Sequence, residues 1–164
     1  MAQAGRAQLE VEDTFQDTTE DSMLIGALLT VPLQTLSRRV ADAVIAGGFH
    51  DYRQANRPIF IWCKPGGSHL TELAKRAGVT KQSMGEMIDA LERRGYVERV
   101  PDPTDARATL IRRTPRGWEL TQLICRVVKD VQREWARALG RERFGALMGT
   151  LRDLAVVLDE NAGE

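Results

Sequence analysis

The sequence predicts a mainly α-helical chain carrying one small β-hairpin, an α+β layout. Two observations predict it. The stretch AGVTKQSMGEMIDALERRGYVERVPDPTDARATLIRRTPRG (Ala77 to Gly117) passes from a short helix end to a capped amphipathic helix, then to two β-rich runs joined by a turn. On both sides of it, apolar residues recur at helical spacing over long distances. The 164 residues, 43% of them hydrophobic, fit one domain or one domain with an attached oligomerisation region.

Residues 1–20 are polar and acidic, without apolar periodicity, and read as a flexible arm. Residues 21–63 form an N-terminal helical region. Within it a long helix is expected from Ser22 to about Ala46, with Leu24, Leu28, Leu36, Val40 and Val44 near one face. Pro32 should kink it or mark where its regular part begins, and Gly47-Gly48 breaks it. A second, shorter helix is expected over Tyr52–Cys63, bent at Pro58, and Lys64-Pro65-Gly66-Gly67 ends it.

Residues 64–114 contain the most structured signal. Thr71 is placed to cap a helix over Glu72–Ala77 whose Leu73 and Ala74 face inward. Gly78 can take the left-handed conformation that ends it, and Thr80 is a good N-cap for the next helix, Lys81 to Arg94, which Gly95 closes. There Met84, Met87, Ile88 and Leu91 fall on one stripe. Tyr96–Val100 and Ala108–Arg113 read as strands around the turn Asp102-Pro103-Thr104-Asp105. Helix, three-residue turn, second helix and hairpin make a winged helix-turn-helix.

Residues 115–164 return to helix. Thr114 as N-cap and Pro115 at the first helical position start a long helix to about Leu139. Gly140 separates it from a last helix with Phe144, Leu147, Met148, Leu151, Leu154 and Leu158. The terminal helices carry more apolar surface than one small winged helix can cover, and a homodimer would bury it while supplying two recognition helices.

Composition narrows the function. No run approaches a membrane span and no leader pattern opens the chain, so a cytoplasmic location, nucleoid-associated when bound, is expected, with no membrane partner. Two cysteines do not make a disulfide framework. Cys63 ends the apolar stretch Ile59-Phe60-Ile61-Trp62 and reads as a buried structural thiol, Cys125 reads as core, and Trp62, Trp118 and Trp135 read as core anchors. No metal set, phosphate-cradling loop or nucleophile elbow appears, so neither an enzyme nor a cofactor is expected. Net charge is zero, but residues 1–30 carry −5 and residues 64–116 carry +4, with eleven Lys or Arg against seven acids. That distribution is compatible with double-stranded DNA as partner.

The segment LTELAKRAGVTKQSMGEMIDALERRGYVERVPDPTDARATLIRRTPRG resembles the DNA-binding core of the MarR (multiple antibiotic resistance regulator) family. The matching pieces are Leu73-Ala74, the exit Leu91-Glu92-Arg93-Arg94-Gly95-Tyr96-Val97, the wing Asp102…Asp105-Ala106-Arg107 and the helix start Thr114…Gly117. The resemblance implies a homodimeric transcription regulator, mostly repressors in the family. Such proteins bind a pseudo-palindromic operator and are often released by a small aromatic or lipophilic effector. On this reading helix 81–94 enters the major groove and the wing, 101–108, flanks it.

Thr80 starts the reading helix. Lys81 and Ser83 are placed for phosphate or base contact, Gln82 can pair with adenine, Glu86 can accept from cytosine N4, and Gly85 lets the backbone approach. Asp105 and Arg107 form the wing tip. Arg107 matches the family's minor-groove arginine and can also pair with Asp105. Of Arg112 and Arg113 on the return strand, Arg112 is assigned to DNA and one of the two is expected to be only solvated. Relatives often have Ser and Arg at positions 85 and 86, and Arg at 106. An effector pocket is expected between the dimer helices and the winged domain, with Arg39, His50, Tyr52, Arg53, Arg57 and Trp62 around it. The alternative reading is a winged-helix interaction module that dimerises without reading DNA, favoured by Glu86, Ala106 and the zero net charge.

Overall fold

Helix α1 runs from Thr19 to Ala46 without interruption through Pro32. The structure, a computed structural model, describes residues 19–161. The arm expected at the N-terminus lies outside the described residues, apart from Thr19 and Glu20, which already belong to α1. The chain divides into two compact units, up to Arg39 and from Val40 onward.

In the first unit α1 exposes Leu24, Ile25, Leu28, Leu29, Val31 and Leu33, with Leu28 61% exposed. An isolated helix with such a face would gain by covering it.

In the second unit the end of α1 contributes Val44 to a core with Ile59, Phe60, Leu73, Met84, Ile88, Leu91, Tyr96, Val97, Ile111 and Leu120. Each fully buried aliphatic side chain of this kind contributes about 1.5–3 kcal/mol. The expected single helix over Tyr52–Cys63 is instead a 3-10 turn, Gln54–Asn56, followed by α2, Arg57–Trp62. Pro58 lies in the first turn of α2, so it starts the helix rather than bending it. Its missing N–H costs nothing there, because the first N–H groups of a helix have no intrahelical partner.

Helix α3, Leu70–Ala77, begins at His69, which gives no side-chain cap, so Thr71 lies inside the first turn and is not the cap. Gly78 ends α3 at φ 64°, and Val79 N donates to Ala74 O at 3.1 Å. Three residues later α4, Lys81–Arg93, starts on Thr80, whose side chain accepts from Ser83 N at 3.1 Å. Met84, Ile88 and Leu91 of α4 are buried, as the stripe predicts.

The hairpin is longer than expected: β1, Val97–Asp102, pairs antiparallel with β2, Asp105–Arg113. The register places Glu98 opposite Arg112 and Val100 opposite Leu110, with an irregularity between Pro101 and Asp102. Ser68 adds a third contact to the sheet edge by exchanging backbone hydrogen bonds with Ile111 at 2.9 and 3.0 Å. Thr114 then caps α5, Pro115–Leu139, by accepting from Gly117 N at 3.1 Å. Gly140 at φ 85° breaks the chain into α6, Arg141–Asn161. Along α6, Leu147, Leu151, Leu154, Val156, Val157 and Leu158 are exposed. No helix among the described residues is long and apolar enough to cross a membrane.

Four core expectations need correction. Cys125 is exposed; it falls off the inward face of α5, which Leu120 and Val131 define. Trp118 and Trp135 are only half-buried and Trp62 is 39% exposed. The buried aromatic positions belong to Tyr96 and Phe60 instead. Cys63 is buried as expected, and its thiol lies 3.3 Å from Ile111 O. Burial pushes that thiol's pKa up, against the opposing charge of Arg113.

Candidate nucleic-acid interface

The exposed face of α4 carries Lys81, Gln82, Ser83, Glu86 and Asp89. Helix periodicity produces this arrangement, since the core stripe claims positions 84, 88 and 91. Thr80 holds the start of α4 twice over: its hydroxyl accepts from Ser83 N and donates to Ser83 Oγ at 3.0 Å. The hydroxyl of Ser83 is therefore tied to the cap. Gln82 Nε2 donates to Glu86 Oε1 at 3.3 Å, so these two polar side chains orient each other one turn apart. Lys81 has no ion-pair partner among the described residues. A Cβ added at Gly85 would lie 3.8 Å from Leu70 Cδ1, an ordinary contact, so internal packing does not demand glycine there.

The wing is built on Asp102. Its Oδ1 accepts from Thr104 N at 2.8 Å and Thr104 Oγ1 at 2.7 Å, and its Oδ2 lies 3.1 Å from His69 Nε2. The Thr104 hydrogen bonds hold the Asp102 carboxyl below the usual carboxylate range. Beyond it, Asp105 accepts from the backbone N of Arg107 at 3.0 Å. The carboxylate thus serves the backbone turn, and the expected Asp105–Arg107 ion pair is not present among the described residues. Arg107 is exposed and its guanidinium unpaired there.

Arg112 pairs with Glu98 across the hairpin at 2.9 Å. Arg113 is not solvated at all. It is buried and donates to Phe60 O at 3.3 Å and Cys63 O at 2.7 Å, with its guanidinium 4.0 Å from the Trp118 ring. Neither arginine is merely solvated, because one has a cross-strand acid and the other fills the C-terminal end of α2, where carbonyls lack helical partners.

Helix and wing are also fixed to each other. Arg99 on β1 ion-pairs with both Asp89 and Glu92 of α4, the former at 2.6 Å. These pairs raise the guanidinium pKa further. Sequence reasoning missed the contacts that Arg99, Asp102, His69 and Arg113 make. A register for the hairpin would have placed Glu98 beside Arg112, but no local pattern announces a contact between Arg99 and a helix ten residues earlier.

The expected effector residues are placed as follows. Arg39 belongs to the first unit and is exposed. His50 is exposed, and Arg53 folds back to donate to the carbonyls of His50 at 3.3 Å and Tyr52 at 3.2 Å. The Tyr52 ring stands edge-on to Phe60 at 5.7 Å, and burial raises its phenol pKa despite the charge of Arg57. Trp62 lies at the other end of α2 under Arg76, 5.6 Å from the ring. Tyr52 and Trp62 thus meet different neighbours. His50 and Tyr52 supply no side-chain cap to the turn at 54–56.

Residues 61–109 match the model of the MarR family, a span that takes in α3, α4 and most of the wing. No curated protein matches the chain. Among solved structures, a cysteine-to-serine mutant of MarR from E. coli complexed with operator DNA is similar, with TM-score 0.65 and 22% identity over 85% of this chain and 99% of that one. CouR from Rhodococcus jostii bound to p-coumaroyl-CoA gives TM-score 0.64 and 23% identity over 80% and 91% of the two chains. The transcriptional regulator SlyA gives TM-score 0.66 at 16% identity over 85% and 96%. At these identities the structures establish the shared fold, a winged helix-turn-helix, and the MarR family match is carried by the segment 61–109 alone.

Proposed function

We propose that this protein is a homodimeric transcription regulator that binds a pseudo-palindromic operator through α4 and the wing, as a ligand-responsive repressor. The observation that carries the reading is the state of two cations. Lys81 at the start of α4 and Arg107 at the wing tip are exposed and lack ion-pair partners among the described residues, while neighbouring arginines are consumed by internal contacts. An unpaired cation at the N-terminal end of a capped helix and another on a wing suit phosphate contact on either side of a groove. Gln82, with Glu86 beside it, is the candidate base reader, and Gly85 leaves room for close approach. Support also comes from relatives of the same fold, MarR on operator DNA and CouR on a 23-mer duplex.

The dimer is supported by the apolar faces of α1 and α6, both left in water in a single chain. Two recognition helices about 34 Å apart would then read half-sites one helical turn apart. The effector reading rests on the cation-and-aromatic set Arg39, His50, Tyr52, Arg53, Arg57 and Trp62, and on CouR having been captured with p-coumaroyl-CoA. An effector releases DNA only by binding the incompetent spacing of the two winged domains better than the competent one.

Selection of bound sequences from a random duplex library at about 0.1 M salt tests the reading directly. A two-fold-symmetric motif with half-sites near one helical turn apart is expected, together with sedimentation of the full chain as a dimer. No enriched motif, with only weak salt-sensitive binding, would refute operator reading and favour an interaction module.

A further inference from the structure

We propose that Asp51, Tyr96 and Arg116 form a joint through which the segment after α1 holds the recognition helix in its DNA-binding position. They are positioning residues for the proposed DNA-binding function, on which the inference rests.

The joint is centred on Tyr96, the residue that follows Gly95 at the exit of α4. Its ring is fully buried, with Phe49 at 6.2 Å and Phe60 at 6.0 Å. Its backbone is held from two sides: Tyr96 N donates to Leu91 O of α4 at 2.9 Å, and Tyr96 O accepts from Thr114 N at 3.1 Å. Thr114 Oγ1 also donates to Gly95 O at 2.5 Å. Gly117 in the first turn of α5 lies so close that a Cβ there would stand 2.0 Å from Tyr96 O. The last turn of α4, residue 96 and the first turn of α5 therefore move together or not at all.

One acid attaches the segment 47–53 to that body. Tyr96 Oη donates to Asp51 Oδ1 at 2.5 Å, and Arg116 donates to both Asp51 oxygens at 3.0 and 3.1 Å. The Arg116 guanidinium also lies over the Tyr96 ring at 4.6 Å and reaches its hydroxyl at 3.4 Å. Asp51 thus joins its own segment to two others, 45 and 65 residues away in sequence. It stands between His50 and Tyr52, two candidate effector residues, and Arg53 is folded onto the carbonyls of both. A ligand that displaces this segment would have to move or break the Asp51 contacts, and the exit of α4 would lose its tether. Small shifts are passed on in this way because packed junctions have discrete arrangements.

The test compares full-length wild type with Tyr96→Phe, Asp51→Asn and the double variant, since both substitutions keep side-chain shape. Affinity for the duplex enriched by selection is measured beside backbone hydrogen exchange. Each single variant is expected to bind about fivefold more weakly, the net worth of one lost hydrogen bond. The double variant should be no worse than the weaker single one. Exchange should quicken in residues 91–97 and 114–118 as well as in 47–53. Affinities within twofold of wild type, additive losses, or faster exchange confined to 47–53 would overturn the joint and leave a local surface contact. If wild type enriches no duplex, the proposed function falls, and the exchange pattern alone decides whether the joint exists.

Discussion

Replacing Arg113 by Met tests whether the wing's return strand depends on a buried cation. The aliphatic part of the side chain is retained and the guanidinium removed. Lost are two charge-assisted hydrogen bonds, to Cys63 O at 2.7 Å and Phe60 O at 3.3 Å, and the stacking on Trp118 at 4.0 Å. Hydrogen bonds to charged groups contribute about 1.5–3 kcal/mol each, and a desolvated cation–π contact about 2 kcal/mol. Against this stands the cost of burying the guanidinium, whose Nε has no partner, so several kcal/mol of desolvation are recovered in the variant. The two carbonyls, left buried without donors, tip the balance, and a net loss of about 3 kcal/mol is expected. For a chain of this size that lowers Tm by about 6–12 °C. Urea unfolding with thermal scans at one fixed protein concentration measures it, because oligomer stability varies with concentration. A variant within about 0.5 kcal/mol of wild type would refute the structural role given to Arg113.

Other substitutions separate reading from gripping. Arg107→Ala removes one cation from each subunit of the proposed dimer, so it is expected to weaken every duplex alike and to flatten the salt dependence by about two units of slope, measured as affinity against salt. Gln82→Ala should relax preference at one operator position in a repeat selection, and equal loss on all sequences would contradict base reading. Gly85→Ala should stabilise the chain by about 1 kcal/mol in urea unfolding, since the added methyl has room beside Leu70. The same variant should bind duplex more weakly if DNA approaches that backbone. Tyr96 is pushed up to about 12 by burial and by its hydrogen bond to Asp51. A phenol kept neutral in the fold contributes stability that is fully present below pH 10 and is lost as pH rises from there through 12. The fall in Tm with pH over that range should therefore be steeper in wild type than in Tyr96→Phe.

Much of the architecture was legible because its determinants are local. Thr80, Gly78, Thr114, Pro115 and Gly140 each act within one turn of chain, and all stand where such residues stop or start helices. The stripe Met84, Ile88, Leu91 is equally local, and it faces the core. The reading failed where tertiary context decides. Pro58 is compatible with a bend or a start, and only the 3-10 turn before it selects the start. Cys125 sits among apolar neighbours in sequence, yet helical spacing turns it to water. Tryptophan is large enough to anchor a core and polar enough to cover a surface, and here Trp118 and Trp62 lie under arginines.

The basic charge of the reading segment shows the same limit in a form that experiment can measure. Eleven Lys and Arg lie between residues 64 and 116, and their sum suggests a strongly gripping surface. The structure removes six of them from free solution. Lys64 and Arg76 pair with Glu72, Arg99 with Asp89 and Glu92, Arg112 with Glu98 and Arg116 with Asp51, while Arg113 is buried on carbonyls. Lys75, Lys81, Arg93, Arg94 and Arg107 remain without ion-pair partners among the described residues. If only these meet phosphate, a dimer on its operator neutralises at most about ten phosphates. The slope of log affinity against log salt should then be no steeper than about −9. A much steeper slope would mean that internal ion pairs open on binding, with Arg112 leaving Glu98 for the phosphate backbone as the first case to test by substituting Glu98. A slope near zero would show that these cations do not face DNA at all, and the assignment of α4 and the wing as the reading surface would fall with it.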